Sequence, residues 1–212
     1  MFHNRTDAGT QLAAKLASYA SQDPVVIGLP RGGVPVACVV AKALHAPLDV
    51  IVVRKLGVPV NPELGFGAVS EEHVVVFNQE VIRLADIEEI DIEATIDRER
   101  RELNRRITAI RKRFPEHALK GRTVIIVDDG IATGIDAKAA CRVARARGAA
   151  RVVLATPVAP RDWRITLARE ADEFVAVIED PDFLAVGAYY LDFAQTSDDE
   201  VLVALDNACL TA

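Results

Sequence analysis

The chain has 212 residues, half of them hydrophobic, and 31 acidic against 25 basic side chains give it a formal net charge of −6. That length suits one α/β domain carrying an insertion, with enough apolar residues for one good core. The negative balance argues against a generic nucleic-acid coat or a binder of acidic membranes, which rely on a broad basic field, although local basic residues can still hold an anion.

In chain order, Thr6 or Asp7 is placed to cap a first helix with apolar positions Leu12, Leu16 and Tyr19, which Asp23-Pro24 breaks. A strand over Val25–Leu29 follows and runs into Leu29-Pro30-Arg31-Gly32-Gly33-Val34-Pro35. Here two glycines admit close backbone approach and Arg31 supplies a charged fork. A helix from about Val34 to His45 aims its N-terminus at the same place, which makes an anion cradle. Through Ala46-Pro47 the chain enters a strand over Leu48–Val53, ended by Arg54-Lys55, whose charges face the same rim.

From about 56 to 119 the rhythm changes. Pro, Gly and Asn residues lead to an expected hairpin around Ala68-Val69 and Val74-Val75-Val76, followed by a long charged helix; Glu63 is a loop acid with no assigned task. In that helix Ile96, Leu103, Ile107, Ile110 and Phe114 form one apolar stripe, which must face the sheet layer or a second subunit. Glu88, Glu89, Asp91 and Glu93 lie toward its start and Arg111, Lys112 and Arg113 toward its end. This order complements the helix dipole and reads as a solvated face.

The most informative run is Val124-Ile125-Ile126-Val127-Asp128-Asp129-Gly130-Ile131-Ala132-Thr133-Gly134. Four apolar residues make a short strand covered on both faces, which delivers Asp128 and Asp129 to its carboxyl end. A turn of small residues then opens into the helix former Asp136-Ala137-Lys138-Ala139-Ala140, expected to run to Arg147. Backbone N–H groups at such a turn favour a phosphate, while the adjacent acids suit hydroxyls or a hydrated cation. Beyond it come a strand over Arg151–Ala155, a helix beginning near Pro160, and a strand over Glu173–Ile178. A last helix opens with the capping-box spacing Ser197-Asp198-Asp199-Glu200. Strands alternating with helices imply a doubly wound, mainly parallel sheet, whose ligands bind beyond the carboxyl ends of the strands.

The Asp128 to Gly134 run resembles the phosphoribosyl-diphosphate (PRPP) signature of type I phosphoribosyltransferases. Receiver domains also place two acids after an apolar strand, but near the domain start and without a phosphate-type loop at once behind them. The resemblance implies that Asp128 and Asp129 bind the ribose hydroxyls, and hold Mg²⁺ indirectly through those hydroxyls or water. It implies that Gly130, Ile131, Ala132, Thr133, Gly134 and Asp136 line the 5′-phosphate loop. It likewise makes Arg31, Gly32 and Gly33 the pyrophosphate loop, where relatives often have a cis peptide between non-proline residues. Lys55 and Arg54 would neutralise the pyrophosphate, and the segment behind them would be the flexible loop that closes over the site. Catalysis is expected of Asp128, Asp129, Lys55 and Arg31.

Two positions depart from the family pattern. Ala132 stands where hypoxanthine-guanine enzymes carry an acidic general base, which disfavours that subgroup. Asp136 stands where many relatives have Thr or Ser; pointing inward it would repel the phosphate, or it could turn to cap its helix. The tail Phe183 to Phe193 has loose similarity to the base-binding region of 6-oxopurine enzymes, with Phe183 to stack on a base and Asp192 to contact it, against the plain reading of a core-filling strand.

As a whole the chain looks like a bacterial group of type I phosphoribosyltransferases of unsettled acceptor: one domain over 1–212 with its insertion at about 56–119. The implied reaction is Mg²⁺-dependent transfer of phosphoribosyl from PRPP to a small nitrogenous acceptor, a nucleobase or related amine. The alternative is a regulatory protein on the same fold that senses PRPP or a nucleotide. Family members often pair, which leaves a homodimer open. The opening residues lack the apolar core of a signal peptide and no later run is long enough to span a bilayer, so a soluble, cytoplasmic protein without membrane partners is expected. Cys38, Cys141 and Cys209 are read as reduced thiols, Trp163 as a packing residue, and His3, His45, His73 and His117 as lacking metal-ligand spacing.

Overall fold

A computed structural model describes residues 1–209; the side chains of Glu63, Ala208 and Cys209, and with them the thiol expected at Cys209, lie outside what is described. In chain order the elements are α1 (Arg5–Leu16), β1 (Val25–Gly28), α2 (Gly33–Leu44), β2 (Leu48–Val50), β3 (Val53–Val58), β4 (Asn61–Ser70), β5 (Val75–Phe77), α3 (Gln79–Leu84) and α4 (Glu89–Arg111). Then follow β6 (Thr123–Val127), α5 (Ile135–Ala146), β7 (Arg151–Pro160), α6 (Trp163–Thr166), β8 (Glu173–Asp180) and α7 (Asp198–Cys209).

β1, β2, β6, β7 and β8 form a parallel sheet in the order β2-β1-β6-β7-β8. Because side chains alternate along a strand, each strand feeds two cores. Val26, Ile125 and Val127 join the residues of α1, α2 and α7 on one face, whereas Val25, Ile27, Val124 and Ile126 join those of α5 and Trp163 on the other. The expected mainly parallel sheet with helices on both faces is therefore present. Strand order reverses between β1 and β6, and the crevice beyond their carboxyl ends is where a doubly wound sheet receives ligands.

Several local expectations are revised. Asn4, not Thr6 or Asp7, caps α1, its side chain accepting from the N–H groups of Thr6 and Asp7. The strand expected over 48–53 is divided: β2 ends at Val50, and the chain turns out of the parallel sheet into β3. Behind Lys55, in place of an irregular closing loop, there is an antiparallel ladder of β3, β4 and β5, with Lys55 paired to Ala68. The hairpin at Ala68 and Val76 is where the alternation places it. β7 runs on through Pro160, which leaves α6 a single turn. Buried Trp163 donates its indole N–H to Glu179 at 2.7 Å and meets Phe174 edge-on.

The α4 stripe packs within the chain. Leu103, Ile110 and Phe114 are buried in the same core as Leu56, Phe66 and Val69 of β3 and β4, and Ile96 and Ile107 pack against it. Arg111 is not on a solvated face: it donates to buried Asp49 at 2.6 Å and to the Val50 carbonyl at 2.9 Å, because a buried carboxylate demands a partner. Arg113 is exposed, as expected, and pairs at the surface with Asp206. The capping box at α7 is realised, with the Glu200 N–H donating to Ser197 Oγ at 3.1 Å and the Ser197 N–H to Glu200 Oε2 at 2.7 Å. Burial pushes the thiols of Cys38 and Cys141 up to about 11 and about 12, so both stay protonated and inert. Among the described residues, no helix is long and apolar enough to cross a membrane.

Candidate active site

Two loops meet at the switch point. After β1 the chain makes a cis peptide at Pro30–Arg31 and starts α2 at Gly33; after β6 it presents Asp128 and Asp129. The glycines are what let these loops touch. A Cβ on Gly33 would lie 2.7 Å from the Val127 carbonyl oxygen, and one on Gly32 would lie 2.0 Å from Oδ2 of Asp129. Leu29 bridges the loops by donating its N–H to the Val127 carbonyl at 3.0 Å.

The acids are held differently. Asp128 Oδ1 accepts the N–H of Asp129 at 2.9 Å. Asp129 Oδ2 accepts from Arg5 Nε at 2.7 Å, and the Asp129 carbonyl accepts from the hydroxyl of Tyr190. Burial, and then the charges of Asp129 and Asp136, hold the Asp128 carboxyl well above the usual carboxylate range. Burial also raises Asp129, with Arg5 pulling the other way.

The predicted phosphate loop follows. Gly130 is buried, and a Cβ there would sit 2.3 Å from Cγ1 of Val186 in the tail. Ile131 is buried and its N–H donates to the Val158 carbonyl at 2.9 Å, so this position supplies packing, not a donor. Ala132 and Thr133 are exposed, and Gly134 adopts φ 72° to begin α5 without a side-chain cap. The idea that Asp136 caps α5 is thus corrected. Asp136 keeps a solvent-exposed surface, yet the protein crowded round its carboxyl pushes its pKa up, with the Lys55 charge opposing. At α2 the first donors are already taken, Gly33 N–H by the Leu29 carbonyl at 3.0 Å and Val34 N–H by the Arg31 carbonyl at 3.3 Å, with Pro35 contributing none, so the helix N-terminus left without a cap at this rim is that of α5.

The remaining sequence candidates divide. Lys55 is brought within electrostatic reach of Asp136 on the phosphate loop. Arg31 is exposed and lies 4.0 Å from Asp198 at the start of α7. Arg54 turns to α4, where its Nη2 donates to Glu99 at 2.6 Å. The Phe183 ring stacks on Tyr189 at 5.6 Å, and exposed Asp192 accepts the N–H of Ala194 at 3.2 Å. Sequence reasoning missed Arg5 altogether, which no local motif marks, and within the tail that it did single out it passed over Val186, Tyr190 and Phe193 in favour of Phe183 and Asp192.

Among the described residues, no group of three or more His, Cys, Asp or Glu side chains is arranged to hold a metal ion. Two adjacent carboxylates with a third nearby and raised pKa values nevertheless suit a hard cation that takes one or two protein oxygens and fills the rest from water and phosphate.

Comparison with known proteins agrees with this geometry. The sequence profile of the phosphoribosyl transferase domain matches residues 2–193. Proteins from two Mycobacterium tuberculosis strains that carry a provisional phosphoribosyl transferase name are 52% identical over 208 residues, which is 98% of this chain and 47% of theirs. The chain thus spans about half the length of the curated relatives it matches. The crystal structure of TT1426 from Thermus thermophilus is 44% identical, with a TM-score of 0.79 over 96% of this chain and 97% of that one. A Neisseria gonorrhoeae protein solved with bound ppGpp shares the fold at 13% identity, with a TM-score of 0.52 over 98% of this chain and 96% of that one. With the profile spanning nearly the whole chain and the acid pair, glycine loop and parallel sheet each in place, the chain belongs to the phosphoribosyl transferase domain family.

Proposed function

We propose that the protein transfers the phosphoribosyl group of PRPP to a small nitrogenous acceptor, a nucleobase or related amine, and releases pyrophosphate. The observation that carries this reading is the contact of Gly32 with Asp129: an anion-type loop and a diol-type acid pair share one crevice, as a ligand with both groups requires. The loop of Gly130, Ala132, Thr133 and Gly134 with the open end of α5 takes the 5′-phosphate. Arg31 and the loop of Gly32 and Gly33 take the pyrophosphate, with Lys55 adding charge. Arg54, occupied by Glu99, is assigned to the fold.

In the reaction the bond from the anomeric carbon to pyrophosphate breaks as a bond from the acceptor nitrogen forms. Positive charge grows on the ribose ring and negative charge on the leaving group. Asp128 and Asp129 position the ribose hydroxyls and stabilise the ring charge; they are not nucleophiles. Mg²⁺, when bound, neutralises pyrophosphate charge, and the two aspartates are the residues that would hold it through water or ligand oxygens. Val186, which meets Gly130 and packs in one cluster with Phe183 and Tyr189, supports an apolar side to this crevice against which a flat acceptor would lie.

A Mg²⁺-dependent pyrophosphate-release screen over purines, pyrimidines and small amines tests the proposal. Turnover with one acceptor class, abolished by Asp128→Asn with Asp129→Asn, is the expected result. Tight PRPP binding with no turnover across the panel identifies a sensor of PRPP or nucleotides. Absence of PRPP and nucleotide binding by calorimetry ends both readings.

A further inference from the structure

The tightest side-chain interaction at the acid pair comes from a residue that no motif identifies. Arg5, on the first turn of α1, donates from Nε to Asp129 Oδ2 at 2.7 Å and from Nη1 to the Ala194 carbonyl at 2.7 Å, and its guanidinium lies 4.1 Å from the centroid of the Phe193 ring. Both ends of the ion pair are mostly covered, the side chains keeping 13% and 14% of their exposure. Phe193 packs in turn on Tyr190, and Tyr190 packs on Phe2 and donates to the Asp129 carbonyl. A surface ion pair is weak and mobile, but one shelved on an aromatic face and forked to a backbone carbonyl has its geometry fixed.

Resting on the phosphoribosyl transfer reading, we infer that Arg5 is a positioning residue that locks the Asp129 carboxylate for the ribose hydroxyls and divides labour between the two aspartates. Oδ2 is committed to Arg5, so Asp129 meets a sugar hydroxyl through its other oxygen, as a neutralised and oriented acceptor. Asp128 is tied instead to the backbone N–H of Asp129, which carries no full charge. Of the two acids, Asp129 thus has the cationic side-chain partner and Asp128 a neutral one, which leaves Asp128 to answer the charge that grows on the ribose ring. The oxygen that Arg5 holds is also the one packed over Gly32, so Arg5 fixes the carboxylate against the loop after β1.

Arg5→Lys is the informative variant, because it keeps the charge and loses the planar fork that reaches Asp129 and Ala194 together. Calorimetry with Mg²⁺ is run on wild type, Arg5→Lys, Asp129→Asn and the double variant, with PRPP, ribose 5-phosphate and inorganic pyrophosphate as probes. Expected are a loss of about tenfold in affinity for the two ribose-containing probes, pyrophosphate binding unchanged, and a double variant no weaker than Asp129→Asn alone. An equal loss for all three probes makes Arg5 a general prop of the fold and overturns the inference, as does unchanged ribose binding or a fully additive cycle. Should Arg5→Lys fold poorly, Phe193→Leu removes the aromatic shelf with the charge left in place and is held to the same pattern. Wild-type protein that binds none of the probes defeats the phosphoribosyl reading itself, a result distinguishable because it precedes any substitution.

Discussion

Gly32 and Asp129 touch so closely that a single added carbon on the glycine would lie 2.0 Å from a carboxylate oxygen, against the ordinary contact of about 3.5 Å. The obstructed atom is the end of a side chain, but that side chain is held by Arg5. Gly32→Ala must therefore drive Asp129 off its partner or lift the loop after β1. Stability should fall by only about 1–2 kcal/mol, since the strands beneath are undisturbed, while PRPP affinity falls at least tenfold. Thermal denaturation and calorimetry on one preparation check both parts; a large stability loss with intact binding contradicts this account of the loop.

Asp128 is held protonated to higher pH than a free aspartate by burial and by the charges of Asp129 and Asp136. A raised pKa in the folded state leaves stability intact below the ordinary value of 3.8 and erodes it as pH rises from there through the folded value. Asp128→Asn removes that erosion. In Mg²⁺-free buffer the variant should melt higher than wild type at neutral pH, with the gain vanishing in acid, and it should lose PRPP turnover. A variant that melts lower at neutral pH speaks against crowded charge at this site.

Neighbours in sequence, Arg54 and Lys55 should respond oppositely to truncation. Arg54 bonds Glu99 through two nitrogens and ties β3 to α4, so Arg54→Ala should cost about 1–2 kcal/mol of stability and little PRPP affinity. Lys55→Ala should weaken PRPP and pyrophosphate by roughly tenfold. The same pair of substitutions giving the reverse pattern would exchange the two assignments.

Glu179 reports on the far edge of the sheet. Burial raises its pKa, but hydrogen bonds from Trp163 at 2.7 Å and Arg164 at 2.6 Å outweigh burial and leave it below the ordinary 4.5. A lowered pKa contributes stability above the ordinary value that is lost as pH falls through the folded one. Because solvent screens this partly exposed group, Glu179→Gln should cost only about 0.5 kcal/mol near neutrality and nothing in strong acid, so that the two unfolding curves converge as pH drops. Parallel curves at every pH would assign the loss to shape and not to charge.

What could be read from the residues alone follows from the range of the forces involved. β1, β6 and their glycine turns were legible because buried parallel strands read as unbroken apolar runs and the phosphate chemistry is written in consecutive positions. Ser197 and Glu200 were legible for the same reason: a capping box is a contact between neighbours. Of the ladder behind Lys55 only the hairpin of β4 and β5 was, since Pro59, Gly65 and Gly67 resemble a loop until β3 and β4 pair, and Gly57 and Gly67 then serve close backbone approach. Arg111 misled because its salt-bridge partner Asp49 comes from β2. Arg5 gave no signal at all, its acid being 124 positions away.

That separation also orders how the molecule assembles. Asp128 and the next amide are adjacent, so their bond can form as soon as the turn does, whereas Asp129 waits for the N-terminal helix to dock and for Tyr190 and Phe193 to arrive from the other side. Contacts between distant parts of a chain close late, after the loop entropy has been met. One half of the pair is thus native in a barely collapsed chain and the other only in the finished molecule, which makes competence for the sugar a late product of folding.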